Sequence, residues 1–374
     1  MRICIINLEP YSTCGGAGIV TKNIGLTLSE MGHDIHLLCL ASDDTKNRDK
    51  TPYTIHEIQH YSQNNEKNMI KRIIKYISYI KNLYITLVSI HPDVIQSQGL
   101  GPSYFTYIYS LRYKTPYCIC FHSDPRLYIE SIPSKIMIRY GKFLPFIKRA
   151  NACISVSKTI IPLIENHYAL NPIYIPNGSD TKTFYKNINS QKMRGHSIIT
   201  VSRLVPEKGI EDAISAMRYI VTKYPDAKLY IVGEGELRPC LEEQVSTLSL
   251  NENVVFTGFI PNEKLITHYH DADVYLLPSW NEAFPIVLFE AMSTGLPIVS
   301  TDVGSVPEIL CDDNGIIIPI KSPHIMANAV CKIFSLSDSE YQKMAENNIM
   351  VAKDNDWSRV AEKYVDIYYQ CLHR

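Results

Sequence analysis

The sequence predicts an α/β protein built from two doubly wound parallel sheets. Two observations predict this fold: short and almost wholly apolar runs recur along the chain, and longer stretches with helical periodicity separate them. Strands that are short and apolar throughout are buried on both faces, as in parallel sheets. Two successive series of such strands indicate two sheets.

The predicted strands fall into two groups. The first group is Arg2 to Leu8, Asp34 to Cys39, Val94 to Gln96, Tyr117 to Phe121, Ala152 to Val156 and Ile173 to Ile175. The second group is Ser197 to Val201, Lys228 to Val232, Val254 to Thr257, Val274 to Leu277, Ile298 to Ser300 and Gly315 to Ile318. Helices such as Gly18 to Met31 and Ile210 to Lys223 fill the intervals. Ligands of doubly wound sheets bind beyond the carboxyl ends of the strands, so functional motifs are expected there.

The length of 374 residues fits two domains, each large enough for its own core. Periodicity lapses between Asn177 and Gly195, where turn and polar residues cluster. We therefore predict a first domain over residues 1–178 and a second over residues 179–356, with a separate helix over residues 357–374. Two such domains facing each other would form a cleft lined by strand ends.

Composition excludes several classes of protein. Apolar residues make up 45% and charged residues 20% of a chain with a net charge of -1, which is typical of a globular protein and gives no argument for nucleic-acid binding. No apolar run approaches the ~20 residues that span a bilayer. The apolar start at Met1 is interrupted too soon, by Asn7 and Glu9, for a signal peptide. We therefore expect a cytoplasmic protein.

The ten cysteines are scattered and include no Cys-x-x-Cys pair. This spacing argues against a zinc site or a thioredoxin-type redox site. Most of the cysteines lie inside apolar runs, and we expect them to act as small core residues.

The most informative motif follows the predicted strand Val274 to Leu277. A loop that contains Glu282 leads to a helix that begins near Pro285, a residue favoured at the first helical position, and ends at Gly295. Free backbone N–H groups at such a helix start favour a phosphate. The residues that present them are Phe284, Ile286 and Val287. Glu290 lies farther along the helix, and the two carboxylates could accept hydrogen bonds from sugar hydroxyls.

A second motif supplies positive charge. Arg203 and Lys208 lie in the loop between the strand Ser197 to Val201 and a helix, with Gly209 at the turn. Fixed cations of this kind stabilise the negative charge that develops on a leaving diphosphate.

Two weaker motifs lie in the first domain. Gly15-Gly16-Ala17-Gly18 forms a glycine-rich loop between the first strand and its helix, but it lacks the full spacing of a dinucleotide fingerprint. His122 ends the strand Tyr117 to Phe121, where it could contact a sugar hydroxyl.

Together these segments resemble the retaining glycosyltransferases related to glycogen synthase, bacterial mannosyltransferases and sucrose synthase, which share the GT-B fold of two Rossmann-like domains. The resemblance extends over nearly the whole chain and is strongest from Ile198 to Leu310. Its most specific mark is the pair of glutamates separated by seven residues, the first followed by Ala-Phe-Pro.

The resemblance implies a role for each site residue. Glu282 contacts the donor sugar and Glu290 the ribose, while Arg203 and Lys208 bind the diphosphate. Gly16 faces the donor phosphates from the first domain, and His122 helps to form the pocket for the donor sugar and the acceptor. The segments at Gly233 and at Ile260 border the diphosphate and the base. The resemblance also implies that the last helix packs back on the first domain and that the anomeric configuration is retained.

These observations define an expected reaction. A hexose or N-acetylhexosamine would move from a nucleotide-diphosphate sugar to a glycan or lipid-linked acceptor, in assembly of surface polysaccharide or glycoprotein glycans. We expect no cofactor, because Arg203 and Lys208 neutralise the diphosphate without a metal. Asp271-Ala272-Asp273 resembles the D-x-D motif of metal-dependent transferases, but it precedes the strand Val274 to Leu277, and we expect these acids to cap and to be solvated.

Three alternatives remain open. A nicotinamide-dependent oxidoreductase is disfavoured by the incomplete glycine spacing and by the glutamate pair. A sugar-nucleotide epimerase on the same fold would need no acceptor. A non-catalytic sugar-binding relative is disfavoured because Glu282, Glu290, Arg203 and Lys208 are all present.

Two stretches of the first domain combine basic and apolar residues. The basic residues are Lys67, Lys71, Arg72, Lys75 and Lys81 in the first stretch, and Lys135, Arg139, Lys142, Lys148 and Arg149 in the second. Basic amphipathic helices bind anionic lipid surfaces. We therefore expect peripheral contact with the inner face of the cell membrane.

Overall fold

The computed structural model describes residues 1–11, 16–41, 51–59, 69–123, 143–186 and 194–373, without the side chains of residues 69–77. The chain divides into two compact units. Unit 1 comprises Met1–Asn177 and Trp357–Arg374, and unit 2 comprises Gly178–Asp356.

Unit 1 contains a parallel seven-stranded sheet. Its strands are β1 (Arg2–Pro10), β2 (Asp34–Leu40), β3 (Thr54–Ile58), β4 (Val94–Gln98), β5 (Tyr117–Phe121), β6 (Ala152–Ser155) and β7 (Ile173–Tyr174). The spatial order is β3-β2-β1-β4-β5-β6-β7, so the direction of winding reverses between β1 and β4. Strands β4 and β5 are buried along their whole length; β5 is apolar throughout, as expected for a central parallel strand, whereas β4 also carries the buried Gln96 and Gln98.

Helices cover both faces of this sheet. They are α1 (Gly16–Glu30), α2 (Met69–Ile90), α3 (Leu100–Tyr113), α4 (Pro145–Lys148) and α5 (Ile161–Tyr168). Helix α1 follows β1 and helix α3 follows β4, so both begin at the point where the strand order reverses. The crevice between such helices is the usual ligand site of a doubly wound sheet.

The last helix of the chain, Trp357–Leu372, belongs to unit 1. Its buried face contacts β4, β5 and α1. The Tyr364 hydroxyl lies 3.5 Å from Cys120 Sγ, and the Tyr368 hydroxyl donates a hydrogen bond to Gln96 Oε1. Unit 1 is therefore built from two separate stretches of sequence.

Unit 2 contains a parallel six-stranded sheet. Its strands are β8 (Ser197–Val201), β9 (Lys228–Val232), β10 (Val254–Gly258), β11 (Val274–Leu277), β12 (Ile298–Thr301) and β13 (Gly315–Ile318). The order β10-β9-β8-β11-β12-β13 reverses between β8 and β11. The loops that follow these two strands are the ones that carry the predicted cations and the first predicted glutamate.

The helices of unit 2 alternate with its strands. They are α6 (Ile210–Lys223), α7 (Arg238–Thr247), α8 (Asn262–Asp271), α9 (Ile286–Ser293), α10 (Val306–Ile309), α11 (Pro323–Phe334) and α12 (Asp338–Asp354). A short 3₁₀ turn, Pro206–Lys208, precedes α6. The terminal helix Trp357–Leu372 is α13 in this numbering.

Several details differ from the expectations. Strand β3 was not predicted, because it lies at the sheet edge and carries the polar residues His56 and Glu57 on partly or fully exposed positions. Among the nine described cysteines, Cys240 and Cys311 are exposed, so a core role is wrong for these two. Helix α9 begins at Ile286, one residue after the predicted start.

In the described part of the chain, no helix is long and apolar enough to cross a membrane.

Candidate active site

The switch point of the unit 2 sheet brings two of the predicted loops together. Strands β8 and β11 are neighbours, so the loops beginning at Ser202 and at Pro278 leave the same edge of the sheet side by side. Trp280 N donates a hydrogen bond to the carbonyl oxygen of Glu207 at 2.8 Å. This bond ties the glutamate loop to the cation loop.

Lys208 and Glu282 form an ion pair at this position. The Lys208 Nζ atom lies 2.7 Å from Glu282 Oε1, and the side chains are only 16% and 12% exposed. The Ser279 hydroxyl donates a second hydrogen bond to the same carboxylate oxygen at 2.8 Å. Two residues that were assigned to different parts of the donor are therefore in direct contact and neutralise each other.

Gly209 permits the close approach of the two loops. Its φ of +61° lies in the left-handed region, and a Cβ atom there would lie 2.2 Å from the Pro278 carbonyl oxygen and 2.9 Å from Trp280 Nε1. Any other residue would force the loops apart, since a contact of 2.2 Å with backbone cannot be relieved by a side-chain rotation. Gly209 therefore sets the geometry of the Lys208–Glu282 pair.

Gly304, which was not predicted from the sequence, performs the same role on the other side of the glutamate loop. Its φ is +51°, and a Cβ atom would lie 2.2 Å from the Glu282 carbonyl oxygen. Ser305 N donates to the Ala283 carbonyl oxygen at 3.1 Å. The feature of the sequence that could have identified Gly304 is its position shortly after the strand Ile298–Thr301, in a loop at the same sheet edge.

Arg203 lies in a more open environment than Lys208. Its side chain is 66% exposed and its guanidinium lies 3.6 Å from Glu207. The two predicted cations therefore differ: Lys208 is fixed by a largely buried partner, whereas Arg203 is a solvated side chain with freedom to reorient.

The start of helix α9 contains four of the predicted donor-binding residues. Pro285 is the N-cap, with φ -76° and ψ 104°, and the first helical residues are Ile286 and Val287. Phe284 is 7% exposed and its ring stacks on Phe289 at a centroid distance of 5.5 Å. The N–H groups of Ile286 and Val287 belong to the first turn, which has no acceptors within the helix.

Glu290 is buried in the middle of α9, with only 7% of its surface exposed. The Tyr269 hydroxyl donates a hydrogen bond to Glu290 Oε2 at 2.9 Å. Burial raises the pKa of the Glu290 carboxyl to about 7. The hydrogen bond from Tyr269 acts in the opposite direction and lowers this pKa, whereas the charge of Asp180 raises it further. Glu290 therefore changes its protonation state near neutral pH.

Tyr269 itself was not singled out from the sequence. It lies on α8, beside the segment Asp271-Ala272-Asp273 that resembles a metal motif. Asp273 is 3% exposed and accepts hydrogen bonds from Ser197 N at 2.9 Å and from the Ser197 hydroxyl at 2.5 Å, so the expectation that it is solvated is wrong. It joins the start of β8 to the start of β11, at the opposite sheet edge from the ion pair. The described residues contain no cluster of three or more potential metal ligands.

The loops after β9 and β10 contain the predicted residues Gly233 and Ile260. Gly233 has a φ of +134°, and a Cβ atom there would lie 1.9 Å from the Ser202 carbonyl oxygen. Gly233 N donates to the carbonyl oxygen of Gly258 at 2.9 Å. Ile260 is partly buried and follows the exposed Phe259. Both loops therefore lie at the same sheet edge as the cation loop.

In unit 1, His122 follows β5 at the carboxyl edge of the sheet. Its Nε2 atom lies 2.5 Å from Gln98 Oε1, and Gln98 is the last residue of β4. Burial lowers the pKa of the His122 imidazole to about 4, so the ring is neutral at neutral pH. His122 is therefore a fixed, uncharged group at this strand end.

Gly16 is the first residue of α1 and is exposed. Among the described residues, no atom lies within 4 Å of the position that a Cβ atom at Gly16 would take. Gly15 lies outside the described residues. The described packing around position 16 therefore does not require glycine.

Two family models match the chain, one in each half. The model of "Glycosyltransferase Family 4" matches residues 14–183, and that of "Glycosyl transferases group 1" matches residues 181–350. An uncharacterized glycosyltransferase of Methanocaldococcus jannaschii is 37% identical over 174 residues, which cover 46% of this chain and 44% of that protein. The N-acetyl-alpha-D-glucosaminyl L-malate synthase of Bacillus anthracis is 25% identical over 98% of this chain and 97% of its own.

Solved structures share the fold over almost the whole chain. The sucrose-phosphate synthase of Thermosynechococcus elongatus has a TM-score of 0.83 at 19% identity and covers 99% of this chain and 98% of its own. The Anabaena HepE protein, crystallised with UDP-glucose, has a TM-score of 0.78 at 17% identity, with 98% of each chain covered. The prediction of two parallel α/β domains of the GT-B type is confirmed. With a glycosyltransferase family model matching each half in turn, this chain is an enzyme of the glycosyltransferase type.

Proposed function

We propose that this chain transfers a hexose or N-acetylhexosamine from a nucleotide-diphosphate sugar to a glycan or lipid-linked acceptor, with retention of the anomeric configuration. The observation that carries the proposal is the Lys208–Glu282 pair, held at 2.7 Å at the switch point of the unit 2 sheet. The UDP-glucose complex of the structurally similar HepE protein supports a nucleotide-sugar donor.

The pair can divide its two charges between the two parts of such a donor. A diphosphate offers Lys208 a more highly charged partner than Glu282, so the ammonium group would turn to the phosphate oxygens. Glu282, freed from the lysine, would accept a hydrogen bond from a hydroxyl of the transferred sugar. The ion pair thus keeps both groups in place before the donor arrives.

Bond cleavage would place additional negative charge on the leaving diphosphate. Lys208 lies in a poorly solvated position, where its charge stabilises that oxygen more strongly than it would in water. Arg203 is exposed, and we propose that it swings onto the phosphate when the donor binds. The N–H groups of Ile286 and Val287, at the start of α9, would supply further donors to the same anion.

Retention would follow from transfer on one face of the sugar. The bond between the anomeric carbon and the phosphate oxygen breaks, and the acceptor oxygen bonds to the anomeric carbon on the same face. The acceptor proton passes to the departing phosphate oxygen. Glu282 would hold the sugar and form no covalent adduct.

The reaction is tested with a panel of UDP- and GDP-sugars. Binding of the correct nucleoside diphosphate should raise the melting temperature, whereas nicotinamide dinucleotides should not. Proton NMR of the product made from an α-linked donor should show an α-linkage. A β-linked product would overturn the retaining mechanism, and stabilisation by NAD alone would overturn the donor class.

We also propose that unit 1 touches an anionic membrane surface. Among the described residues, Lys81 on α2 and Lys148 and Arg149 near α4 are exposed. Phe143 is 64% exposed, and Lys148 Nζ lies 5.8 Å from its ring centroid. An exposed aromatic ring beside cations suits a lipid headgroup layer. The remaining basic residues of the two stretches lie outside the described residues or have no described side chain.

Co-sedimentation with vesicles tests this contact. The wild type should bind vesicles rich in phosphatidylserine at low salt and dissociate at high salt, because the attraction is electrostatic. Replacing Lys148 and Arg149 by glutamate should weaken binding. Lys332→Glu, at an exposed position of α11, should have little effect. Binding that persists undiminished at high salt would contradict the electrostatic argument.

A further inference from the structure

A chain of hydrogen bonds connects His122 to helix α1. The Thr21 hydroxyl donates to the Ala17 carbonyl oxygen at 2.8 Å, and Gln98 Nε2 donates to Thr21 Oγ1 at 3.3 Å. Gln98 Oε1 is then left to face His122 Nε2 at 2.5 Å. The chain runs across the switch point of the unit 1 sheet, from α1 through β4 to the end of β5.

Each group in this chain can act in one direction only. A hydroxyl has one hydrogen, and that of Thr21 is given to Ala17, so Thr21 must accept from Gln98. The amide of Gln98 is thereby oriented with its oxygen toward the imidazole. An amide oxygen can only accept, so His122 must carry its proton on Nε2.

The other ring nitrogen of His122 is left with a lone pair. Burial lowers the pKa of the imidazole to about 4, so Nδ1 bears no proton near neutral pH. Among the described residues, the buried Nδ1 atom has no hydrogen-bond partner. An unpartnered buried acceptor costs free energy unless a ligand satisfies it.

We propose that Gln98 and Thr21 are positioning residues that hold His122 as the Nε2–H tautomer, with Nδ1 kept as a hydrogen-bond acceptor for a hydroxyl group of a bound ligand. Thr21 is 1% exposed and Gln98 is 8% exposed, so neither residue is placed to meet a ligand in solution. An acceptor lone pair attracts an O–H group and repels a phosphate oxygen. The chain of hydrogen bonds therefore makes His122 selective for the sugar over the diphosphate. This last step depends on the proposed transferase function, whereas the tautomer does not.

The tautomer is read directly by ¹⁵N NMR of protein labelled at histidine, with the His122 signals assigned by their loss in His122→Gln. The wild type should show Nε2 protonated and Nδ1 unprotonated at pH 7. Thr21→Val removes the hydroxyl at nearly constant volume and frees the Gln98 amide to rotate, so an Nδ1–H population should appear. Gln98→Met removes the acceptor altogether and should give the same change. Wild-type protein with Nδ1 protonated, or a Thr21→Val spectrum identical to that of the wild type, would overturn the proposal.

Thr27→Val provides the matched control. Thr27 lies on the same helix, is 8% exposed, and donates its hydroxyl to the Asn23 carbonyl oxygen at 2.8 Å. Like Thr21, it donates its hydroxyl to the carbonyl oxygen four residues earlier, but it has no described hydrogen bond with Gln98. Thr27→Val should leave the tautomer unchanged, and Thr21→Ser, which keeps a hydroxyl, should restore it.

Kinetics then separate this role from a structural one. Thr21→Val should lower kcat/KM for the donor several-fold, and Thr21→Ser should recover most of the loss. A shifted tautomer with wild-type kcat/KM would overturn the positioning role. If no nucleotide sugar is turned over by the wild type, the transferase proposal fails, while the NMR result still decides whether the hydrogen-bond chain exists.

Discussion

The two units have the same sheet architecture but fill their switch points with opposite chemistry. In unit 2, between β8 and β11, a lysine and a glutamate form an ion pair within two loops that are packed backbone to backbone. In unit 1, between β1 and β4 and at the adjoining end of β5, neutral side chains form a directed hydrogen-bond chain that ends on His122. The contacts described at the unit 2 switch point therefore centre on an ion pair, whereas the hydrogen-bond chain of unit 1 is built from neutral groups.

This difference suits the two parts of the proposed donor. A diphosphate carries its charge into the site, and fixed cations stabilise it. A sugar is neutral, and its hydroxyls are recognised by aligned donors and acceptors, for which a charged histidine would offer no lone pair. The proposed reaction thus calls for different chemistry at the switch points of the two units.

The largest expected effect is loss of activity when the unit 2 pair is broken. Glu282→Gln and Lys208→Met should each lower kcat by about 10²–10³-fold, since the first removes the carboxylate that holds the sugar and the second removes the charge that stabilises the leaving diphosphate. The double variant should lose much less than the product of the two losses, because the residues act as a unit. Initial rates at saturating donor provide the measurement.

Lys332→Met is the control for the lysine, because Lys332 is exposed on α11. Its rate should match that of the wild type. Turnover within twofold of the wild type in either Lys208→Met or Glu282→Gln would contradict the assignment of catalysis to this pair.

The second prediction contrasts a glycine of each unit. Gly304→Ala should lower the free energy of unfolding by about 2 kcal/mol or more, because its Cβ would lie 2.2 Å from the Glu282 carbonyl oxygen at a φ of +51°. No atom of the described residues lies within 4 Å of a Cβ atom at Gly16, so Gly16→Ala should change stability by no more than about 0.5 kcal/mol. Urea unfolding measures both.

Activity adds a second contrast between these two variants. If the backbone at Gly16 approaches the donor phosphates, Gly16→Ala should impair catalysis while leaving stability intact. Equal destabilisation by the two substitutions would show that the packing difference between the loops is not real.

The fold class could be predicted because most central strands are largely buried and rich in apolar residues. Strands such as β5, β8 and β11 were predicted with their observed bounds. The edge strand β3 could not be predicted, because an edge position tolerates polar residues such as His56. The polar loops at Glu282 and Lys208 could be placed at strand ends from chain order alone.

The contacts within the site could not be predicted in this way. Lys208 and Glu282 are separated by 74 residues, and their contact depends on β8 and β11 being neighbours. Tyr269 and Gln98 look like ordinary core and strand residues in sequence, because nothing local distinguishes them from others. Their partners become apparent only when the strand order and the register are known.

The third prediction concerns pH and unit 2. The Glu290 carboxyl has a pKa of about 7 in the folded protein against an ordinary value of 4.5. The folded state therefore holds the proton more tightly, so this contribution to stability is complete below pH 4.5 and is lost as the pH rises through 7. The loss should be on the order of 3 kcal/mol.

Glu290→Gln, which cannot ionise, isolates this contribution. The free energy of unfolding of the variant, relative to that of the wild type, should increase between pH 5 and pH 8. Glu263→Gln on the exposed side of α8 is the control and should show a flat difference. A flat difference for Glu290→Gln would mean that the carboxyl is not destabilised by burial.

The smallest expected effect is the opposite pH dependence of unit 1. The His122 imidazole has a pKa of about 4 in the folded protein against an ordinary value of 6.5. The unfolded state binds the proton more tightly, so the stability contributed by neutral His122 is present above pH 6.5 and is lost as the pH falls through 4. Because the residue is only partly buried, the loss should be about 1–2 kcal/mol.

His122→Gln should remove this pH dependence of stability. His373→Gln, at an exposed histidine, serves as the control. Unfolding free energies from pH 7 to pH 4 would thus decline more steeply in the wild type than in His122→Gln. Equal slopes would show that the histidine is accessible to protons in the folded state.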